Sequence, residues 1–483
     1  MSRYRGLLVN LLVFGVSTVA TKLISFFLVP LYTSYMTTGE FGVTDMALTV
    51  ITLAMPLVTL SAGDATLRYA IDDRGHADRY ITLGLAANVL GIGLVALLLP
   101  VLDLSVFGGL GNYKVLFLAA YATNSLLAYH GNVARALNQL KLITWDAVLV
   151  SLTTAGSAVV FIAWLRMGVD GYFYSLVLGA LTGVLLFAIA GRHLHRLTRI
   201  RRDDRTLVRA MAAYALPLIP NALFWWMGTS INRFFITGML GIAASGLFAA
   251  ASKLPNLLNL VYNVFQQAWT LSAFQEFRKS DVSGFFSTVL GLLNAFLAVG
   301  AALLAASSPW LAAVLLKGEF YSAWPLIPML LVAIYFNSLN AFYGSVFTTT
   351  LKTRALFTTT MAGALCSVAL TWLLIPPLGL MGPCLAMAAS NLLVLLLRMR
   401  ASRGVIPVRV RPLVLTAGAL LLAAQAAVMA IQPAGWQAAA WVLTACIALI
   451  QIPVIAPDVR RVMTRMAQHK ERAQASPTER NEK

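Results

Sequence analysis

YALPLIPNALFWWMGTSINRFFITGMLGIAASGLFAAASKLPNLLNLVYNVFQQAWTLSAFQEF, from Tyr214 to Phe277, is apolar enough to cross a bilayer twice. Yet it is studded with groups that hydrocarbon rejects. Arg233 and Lys253 are cations, and Asn221, Asn232, Asn256, Asn259, Asn263 and Gln266 are amides. Pro217, Pro220 and Pro255 each remove a backbone donor. Within a membrane-spanning segment such groups persist only where they face protein or water. The stretch therefore predicts helices lining an aqueous cavity that receives an anionic head group.

The rest of the chain agrees with a membrane setting. Of its 483 residues, 59% are hydrophobic and only 11% charged, with a mean hydropathy of +0.79. A soluble protein carries about 25% charged residues. The first apolar run, from Leu7 past Leu28, is long enough to span and shows no cleavage pattern. The hydropathy pattern predicts fourteen spans, near 7–34, 42–63, 80–102, 113–133, 145–166, 171–191, 211–237, 242–267, 284–306, 324–350, 356–376, 380–398, 412–431 and 436–456. Cys366, Cys384 and Cys446 all lie in apolar runs and read as small hydrophobes. The net charge of +18 is a topology signal rather than a nucleic-acid footprint. Of the 36 Lys and Arg, 30 fall in alternate connections and the two termini; Lys114, Arg166 and Lys317 fall on the other side, and Lys22, Arg233 and Lys253 lie within spans. Such asymmetry places both termini in the cytoplasm, with the basic run Arg192 to Arg205 against anionic head groups.

The chain also repeats. TNSLLAYHGNV (Thr123 to Val133) resembles FNSLNAFYGSV (Phe336 to Val346), matching Asn124 with Asn337 at an offset of 213. GVDG at Gly168 matches GLMG at Gly379, and TGEFGVTD from Thr38 loosely matches the region of AASGLFAA (Ala243 to Ala250), pairing Gly42 with Gly246 at an offset of 204. Six is even, so both halves start on the same side and the repeat is parallel, as in alternating-access transporters. The predicted fold is an all-α polytopic membrane protein. It has a six-helix lobe (1–191), a basic linker (192–210), a second six-helix lobe (211–398), two extra helices (399–457) and a polar tail (458–483), with a central cavity between the lobes.

Polar side chains recur at helical spacing. Ser252, Asn256, Asn259, Asn263 and Gln266 follow at 4, 3, 4 and 3, one face of the eighth span with Lys253 beside it. The seventh span adds Asn221, Trp225, Thr229 and Asn232, with Arg233 next to them. The second adds Asp45, Thr49, Thr52, Pro56 and Thr59, and the first adds Thr18, Lys22 and Ser25. Any single amide serves equally well as glue between helices. The long stripe of the eighth span exceeds one pairing and reads as cavity wall. The cations Lys253, Arg233 and Lys22 are candidates for an anionic cargo, with Lys22 and Arg233 alternatively anchors near span ends. Asp45 is the acid candidate for ion coupling, or a partner of Lys22 or Arg233; Asp64 and Asp146 sit at inner span ends and read as interfacial. No GK[ST] phosphate loop is present, the five His lack metal-ligand spacing, and no outward segment carries a set of catalytic acids.

Two of these stretches resemble one known family. KLISFFLVPLYTSYMTTGEFGVTD (Lys22 to Asp45) is similar to the first motif of bacterial polysaccharide-biosynthesis flippases, and the stretch from Tyr214 to Trp269 to the opening of their second half. These belong to the multidrug/oligosaccharidyl-lipid/polysaccharide exporter superfamily, and the resemblance extends over essentially the whole chain. It implies two lobes around a cavity and movement of an undecaprenyl-diphosphate-linked oligosaccharide from inner to outer leaflet of the cytoplasmic membrane. It also implies a transporter rather than an enzyme, without cofactor, driven by a proton or sodium gradient or by consumption of the product. Its partners would be the lipid bilayer, the polysaccharide polymerase and glycosyltransferases, and no nucleic acid. Where the family often has an Asp–Arg pair this chain has Asn232–Arg233, which keeps the cation and loses the acid. Lys22, Arg233 and Lys253 match motif positions, and Asn124, Asn337 and Trp225 complete the expected lining. Rival readings are a lipid II flippase, a cation-coupled drug exporter and a membrane glycosyltransferase.

Overall fold

The computed structural model describes residues 24, 26–276, 282–350, 352–408 and 411–451, and every regular element among them is helical. In chain order they are α1 (Val29–Tyr35), α2 (Thr38–Val58), α3 (Ala62–Asp72), α4 (Ala77–Leu98), α5 (Lys114–Ala136), α6 (Leu140–Ala158), α7 (Gly168–Ile189), α8 (Arg205–Ala215), α9 (Leu218–Ser230), α10 (Asn232–Leu240), α11 (Ile242–Ala251), α12 (Pro255–Glu276), α13 (Val282–Leu315), α14 (Leu326–Thr349), α15 (Thr353–Leu378), α16 (Met381–Ser402), α17 (Pro412–Ile431) and α18 (Trp436–Gln451). Ten stretches among the described residues are long and apolar enough to cross a membrane, and two shorter apolar helices, α11 and α18, accompany them. The expected first span lies partly outside the described residues, as does the polar tail.

The helix ends follow local chemistry. A capping box opens α2: Thr37 Oγ1 accepts from Glu40 N–H at 3.2 Å, and the Glu40 carboxylate accepts from Thr37 N–H at 2.8 Å. The helix stops at Leu60 and Ser61, both in the left-handed region with φ near +50°. The predicted second span therefore ends earlier than residue 63, and α3 sets off in a new direction.

Two predicted spans are interrupted. The span at 242–267 breaks between Ala251 and Pro255, because Pro255 has no N–H to continue a ladder and serves instead as the first residue of α12. The Ser252 hydroxyl turns back to Phe248 O at 2.7 Å, closing α11. The span at 211–237 is likewise parted at Leu216–Pro217 and at Ile231. Hydropathy windows joined these pieces because both flanks of each break are apolar.

The chain forms two compact units. One comprises Met1–Leu254, Trp310–Trp324 and Thr360–Ser390; the other comprises Pro255–Pro309, Pro325–Thr359 and Asn391–Lys483. In the first unit α2 and α11 cross with their backbones in contact. A Cβ on Gly42 would lie 2.2 Å from Ile242 O, and one on Gly246 would lie 1.9 Å from Thr38 O. Thr38 and Ile242 are related by the same 204-residue offset as Gly42 and Gly246. The repeat-related glycines thus touch each other across a local pseudo-twofold axis, the isologous pattern of a symmetric interface.

Aromatic rings close the space around this crossing. Phe41 meets Phe320 edge-on at 5.6 Å, and Phe107 meets Phe234 at 5.6 Å. Thr33 Oγ1 donates to Leu315 O at 2.9 Å and accepts from Lys317 N–H at 3.2 Å. At the other end of the unit, α8 docks on α3 and α4. Met211 and Ala215 join Ala65, Tyr80 and Leu83 in one apolar cluster, and Tyr69 Oη donates to Ala210 O at 3.0 Å. The preceding linker is tied down by Arg196–Asp78 at 3.0 Å and Arg79–Asp204 at 3.5 Å.

The second unit is held by buried aromatics and amides. Trp269 stacks on Phe342 at 4.7 Å, meets Phe286 edge-on at 4.8 Å and donates to Ser345 Oγ at 2.8 Å. Gln425 Nε2 bonds Thr444 Oγ1 at 2.9 Å and Ala302 O at 3.1 Å, while Asn294 donates to Gln451 at 3.2 Å. These amides fasten α17 and α18 to α13, since a polar group in apolar surroundings seeks a bonded partner.

Candidate functional site

The first unit contains the ionic centre. Arg233, in the first turn of α10, donates through Nε to the Asp45 carboxylate of α2. Their side chains are 19% and 8% exposed. A carboxylate and a guanidinium taken out of water survive by neutralising each other, so each fixes the other's position. Of the two partners expected for Asp45, Arg233 is the one found; Lys22 lies outside the described residues. Asn232, next along α10, is buried and accepts from Thr371 Oγ1 at 2.9 Å, so it joins helices.

Around this pair α2 presents its predicted polar face. Trp226 of α9 donates from Nε1 to Thr49 O at 3.3 Å and packs edge-on against Phe234 at 5.6 Å. Thr49 and Thr52 satisfy their hydroxyls on backbone carbonyls one turn back, at 2.8 and 2.9 Å. Lys253 lies in the turn after α11, with its ammonium 5.6 Å from the centre of the Phe41 ring, within cation–π range. Arg233, Asp45 and Lys253 therefore belong to one unit.

The other sequence candidates disperse. Asn256, Asn259, Asn263 and Gln266 run along α12 in the second unit at the expected helical spacing; Asn256 and Asn263 are exposed, and Gln266 accepts from Tyr262 Oη. The break at residues 252–254 removes Ser252 and Lys253 from that face. Trp225 is 65% exposed and points away from its buried neighbour Trp226. Asn124 folds its amide back to Ala120 O at 2.9 Å, and Asn337 is half-buried on α14. Asn221 lies on α9, and its side chain is outside what is described.

A second polar feature escaped the sequence reading. A cavity of about 190 Å³ lies between the end of α2, the start of α3, α4 and α5, lined among others by Pro56, Thr59, Ser61, Asp64, Asn88 and Asn132. Pro56 and Thr59 continue the α2 stripe that begins at Asp45. Asp45 and Thr59 are ~21 Å apart at 1.5 Å of rise per residue. Burial pushes the Asp64 carboxyl above its usual range, against the pull of Arg135. Asn88 and Ser125 pair with each other at 3.3–3.4 Å. Asn88, Ser61 and Asn132 stand on three different elements, so no spacing within one helix announces them.

A helical membrane bundle with an ion pair and a continuous polar stripe on its α2 face belongs to the class of multi-pass membrane transporters. The comparisons with known proteins place it more closely. The sequence profile of the polysaccharide biosynthesis protein family matches residues 7–270, and the chain belongs to that family. Among solved structures, the fold is similar to lipid II flippase MurJ in an inward closed conformation, with a TM-score of 0.71 and 11% identity over 93% of this chain and 99% of that one. It is also similar to the inward-facing conformation of a multidrug resistance MATE family transporter of the MOP superfamily, with a TM-score of 0.65 and 14% identity over 80% of this chain and 98% of that one. No curated protein matches the sequence.

Proposed function

We propose that the protein is a flippase that carries an undecaprenyl-diphosphate-linked oligosaccharide from the inner to the outer leaflet by alternating access, for polysaccharide biosynthesis. The observation that carries this reading is the Arg233–Asp45 pair at the head of the α2 stripe. A lipid-linked sugar diphosphate cannot cross hydrocarbon with its head group bare. Hydroxyls and amides replace the water around its sugars, and cations offset its diphosphate. Arg233 offers a planar fork of donors that suits phosphate oxygens as well as a carboxylate. The diphosphate competes with Asp45 for that fork, so cargo binding and release of the α2–α10 contact are one event. Lys253 supplies a second cation, and the hydroxyls of the α2 stripe solvate the sugars. Asp45, once released, is the group that takes up a proton or a sodium ion. In this reading the termini, the linker at 192–210 and the basic run lie on the cytoplasmic side of the inner membrane.

Lipid II is the neighbouring cargo, since it combines the same lipid diphosphate with a different sugar part. The MurJ likeness speaks for it and the family membership for a polysaccharide unit. A cationic drug is disfavoured, because Arg233 and Lys253 repel it. Alternating access requires the crossing of α2 and α11 to part. The segment Gly318–Ala323 packs beside that crossing, so cysteines at Thr38 of α2 and Glu319 of this segment, whose side chains meet at 3.4 Å, test whether α2 must part from its neighbours. Joined by a short bifunctional thiol reagent, they should abolish lipid movement in proteoliposomes, and cleaving the reagent should restore it. Movement undiminished by quantitative cross-linking would refute the gate.

A further inference from the structure

The cavity beside α3 has a donor and acceptor pattern that identifies a ligand class. Ser61 is a 6% exposed residue whose hydroxyl makes no hydrogen bond among the described residues, although the residue lines the cavity. It is held there by backbone in the left-handed region at both Leu60 and Ser61, φ +50° and +51°, a conformation costly for residues with a side chain. Such a conformation persists only where the surroundings enforce it. The Asp64 carboxylate, exposed at the wall, likewise has no hydrogen bond or ion pair among the described residues. Asn132 has its carbonyl occupied by Arg135 Nη1 at 2.8 Å, which turns its Nδ2 donor toward Gly63. A Cβ on Gly63 would lie 2.8 Å from that nitrogen, so the glycine keeps the space open.

The site thus combines a fixed acceptor, a fixed donor and a hydroxyl that serves as either. No Lys or Arg lines it, and Arg135, whose charge acts on Asp64, is held on the Asn132 amide oxygen at 2.8 Å. A phosphate is excluded by the carboxylate, and a bare cation is opposed by the amide N–H. A pair of adjacent hydroxyls satisfies all three groups at once, one donating to Asp64 and the other accepting from Asn132. The cavity is roomy enough for ordered water, and a ring hydroxyl pair displaces that water without leaving polar groups unmet.

We propose that this cavity is a subsite for the vicinal hydroxyls of one sugar ring of the cargo, with Asp64, Ser61 and Asn132 as its contacts. The inference rests on the flippase reading for its biological role, and it makes the cavity a determinant of which glycan is carried. The cavity opens beside Thr59, at the end of the α2 stripe and ~21 Å along that helix from Asp45, which separates the place for sugar from the place for diphosphate.

The test is equilibrium binding of methyl hexosides to the purified full-length protein in nanodiscs, read by saturation-transfer NMR in KCl and again in NaCl. The wild type should bind a hexoside with adjacent free hydroxyls, and bind the matching deoxy-hexoside at least tenfold more weakly, as expected for a lost hydrogen bond to a charged group. Asp64→Asn and Gly63→Ala, each checked for a native melting profile, should weaken binding of the parent hexoside at least tenfold. If Gly63→Ala fails to fold, Ser61→Ala takes its place. Equal binding by these variants overturns the proposal. So does a wild type that binds no hexoside, or one whose Asp64-dependent response follows sodium alone. Lipid movement is measured on the same preparations. A wild type that moves glycolipid but binds no hexoside refutes the subsite and leaves the flippase; one that binds hexosides through Asp64 but moves no lipid refutes the flippase and leaves the subsite.

Discussion

Arg233 and Asp45 are worth more together than either is alone. Truncating one strands the other in a place where its side chain is largely hidden from water. The expected loss of stability lies between the ~1 kcal/mol of an exposed pair and the ~3–5 kcal/mol of a fully buried one. Arg233→Ala and Asp45→Asn should both lower lipid movement at least tenfold with the protein still in the membrane, and the charge-swapped double variant should recover folding but not transport. A leaflet assay alongside a thermal melt reads both. His193 makes a prediction of a different kind. It follows α7, its Nδ1 faces Nδ1 of His130 at 3.0 Å, and its Nε2 faces the Gln139 side-chain Oε1 at 2.9 Å. Burial, reinforced by the charges of His130 and Arg196, lowers its pKa to about 4 from an ordinary 6.5. The folded state therefore holds His193 neutral while the unfolded chain takes a proton below pH 6.5. Its contribution is complete above pH 6.5 and is lost as the pH falls toward 4. Melting temperature should decline across that window, and His193→Gln should flatten the decline.

The sequence announces Arg233 and Asp45 because charges inside apolar runs are rare enough to stand out. It does not announce their pairing, since 188 residues separate them and only the α2–α10 contact joins them. Nor does it announce Ser61, Asn132 and Asp64 as neighbours, because each is ordinary on its own helix.

Among the elements, the crossing of α2 and α11 is the clearest case of a repeat read in sequence and met in space. Gly42 and Gly246 were aligned as equivalents, and each occupies the place where the other's chain leaves no room for a methyl group. The nearest atoms are backbone carbonyl oxygens under 3.0 Å away, which cannot swing aside. Gly42→Ala and Gly246→Ala should therefore act alike, forcing the helices apart and reducing lipid movement strongly. Cysteine accessibility at Thr38 should rise in both. If either alanine were silent, the contact would be incidental. Other element boundaries were less legible. Pro255 signals a helix start, yet the apolar residues on both sides outweighed it in a hydropathy window. The result was one long predicted stripe where there are two helices, and Lys253 belongs with α11 rather than with the amides of α12.

At the scale of the whole molecule, the apolar composition, the charge asymmetry and the parallel repeat all pointed to a multi-pass helical transporter, and the fold and family agree. Hydropathy reads continuous spans where α9 to α11 are short separate helices. The choice of cargo depends on sites assembled from distant residues, and there the physical argument rests on Arg233, Asp45 and the cavity at Asp64. The most direct measurement is leaflet accessibility in proteoliposomes of the purified protein, using labelled undecaprenyl-diphosphate hexose loaded on one side. Wild type is predicted to expose the labelled lipid on the opposite side, faster than protein-free vesicles, and Arg233→Ala to fall close to the protein-free rate. No movement of the glycolipid by wild type, together with uptake of cationic dyes, would contradict the account.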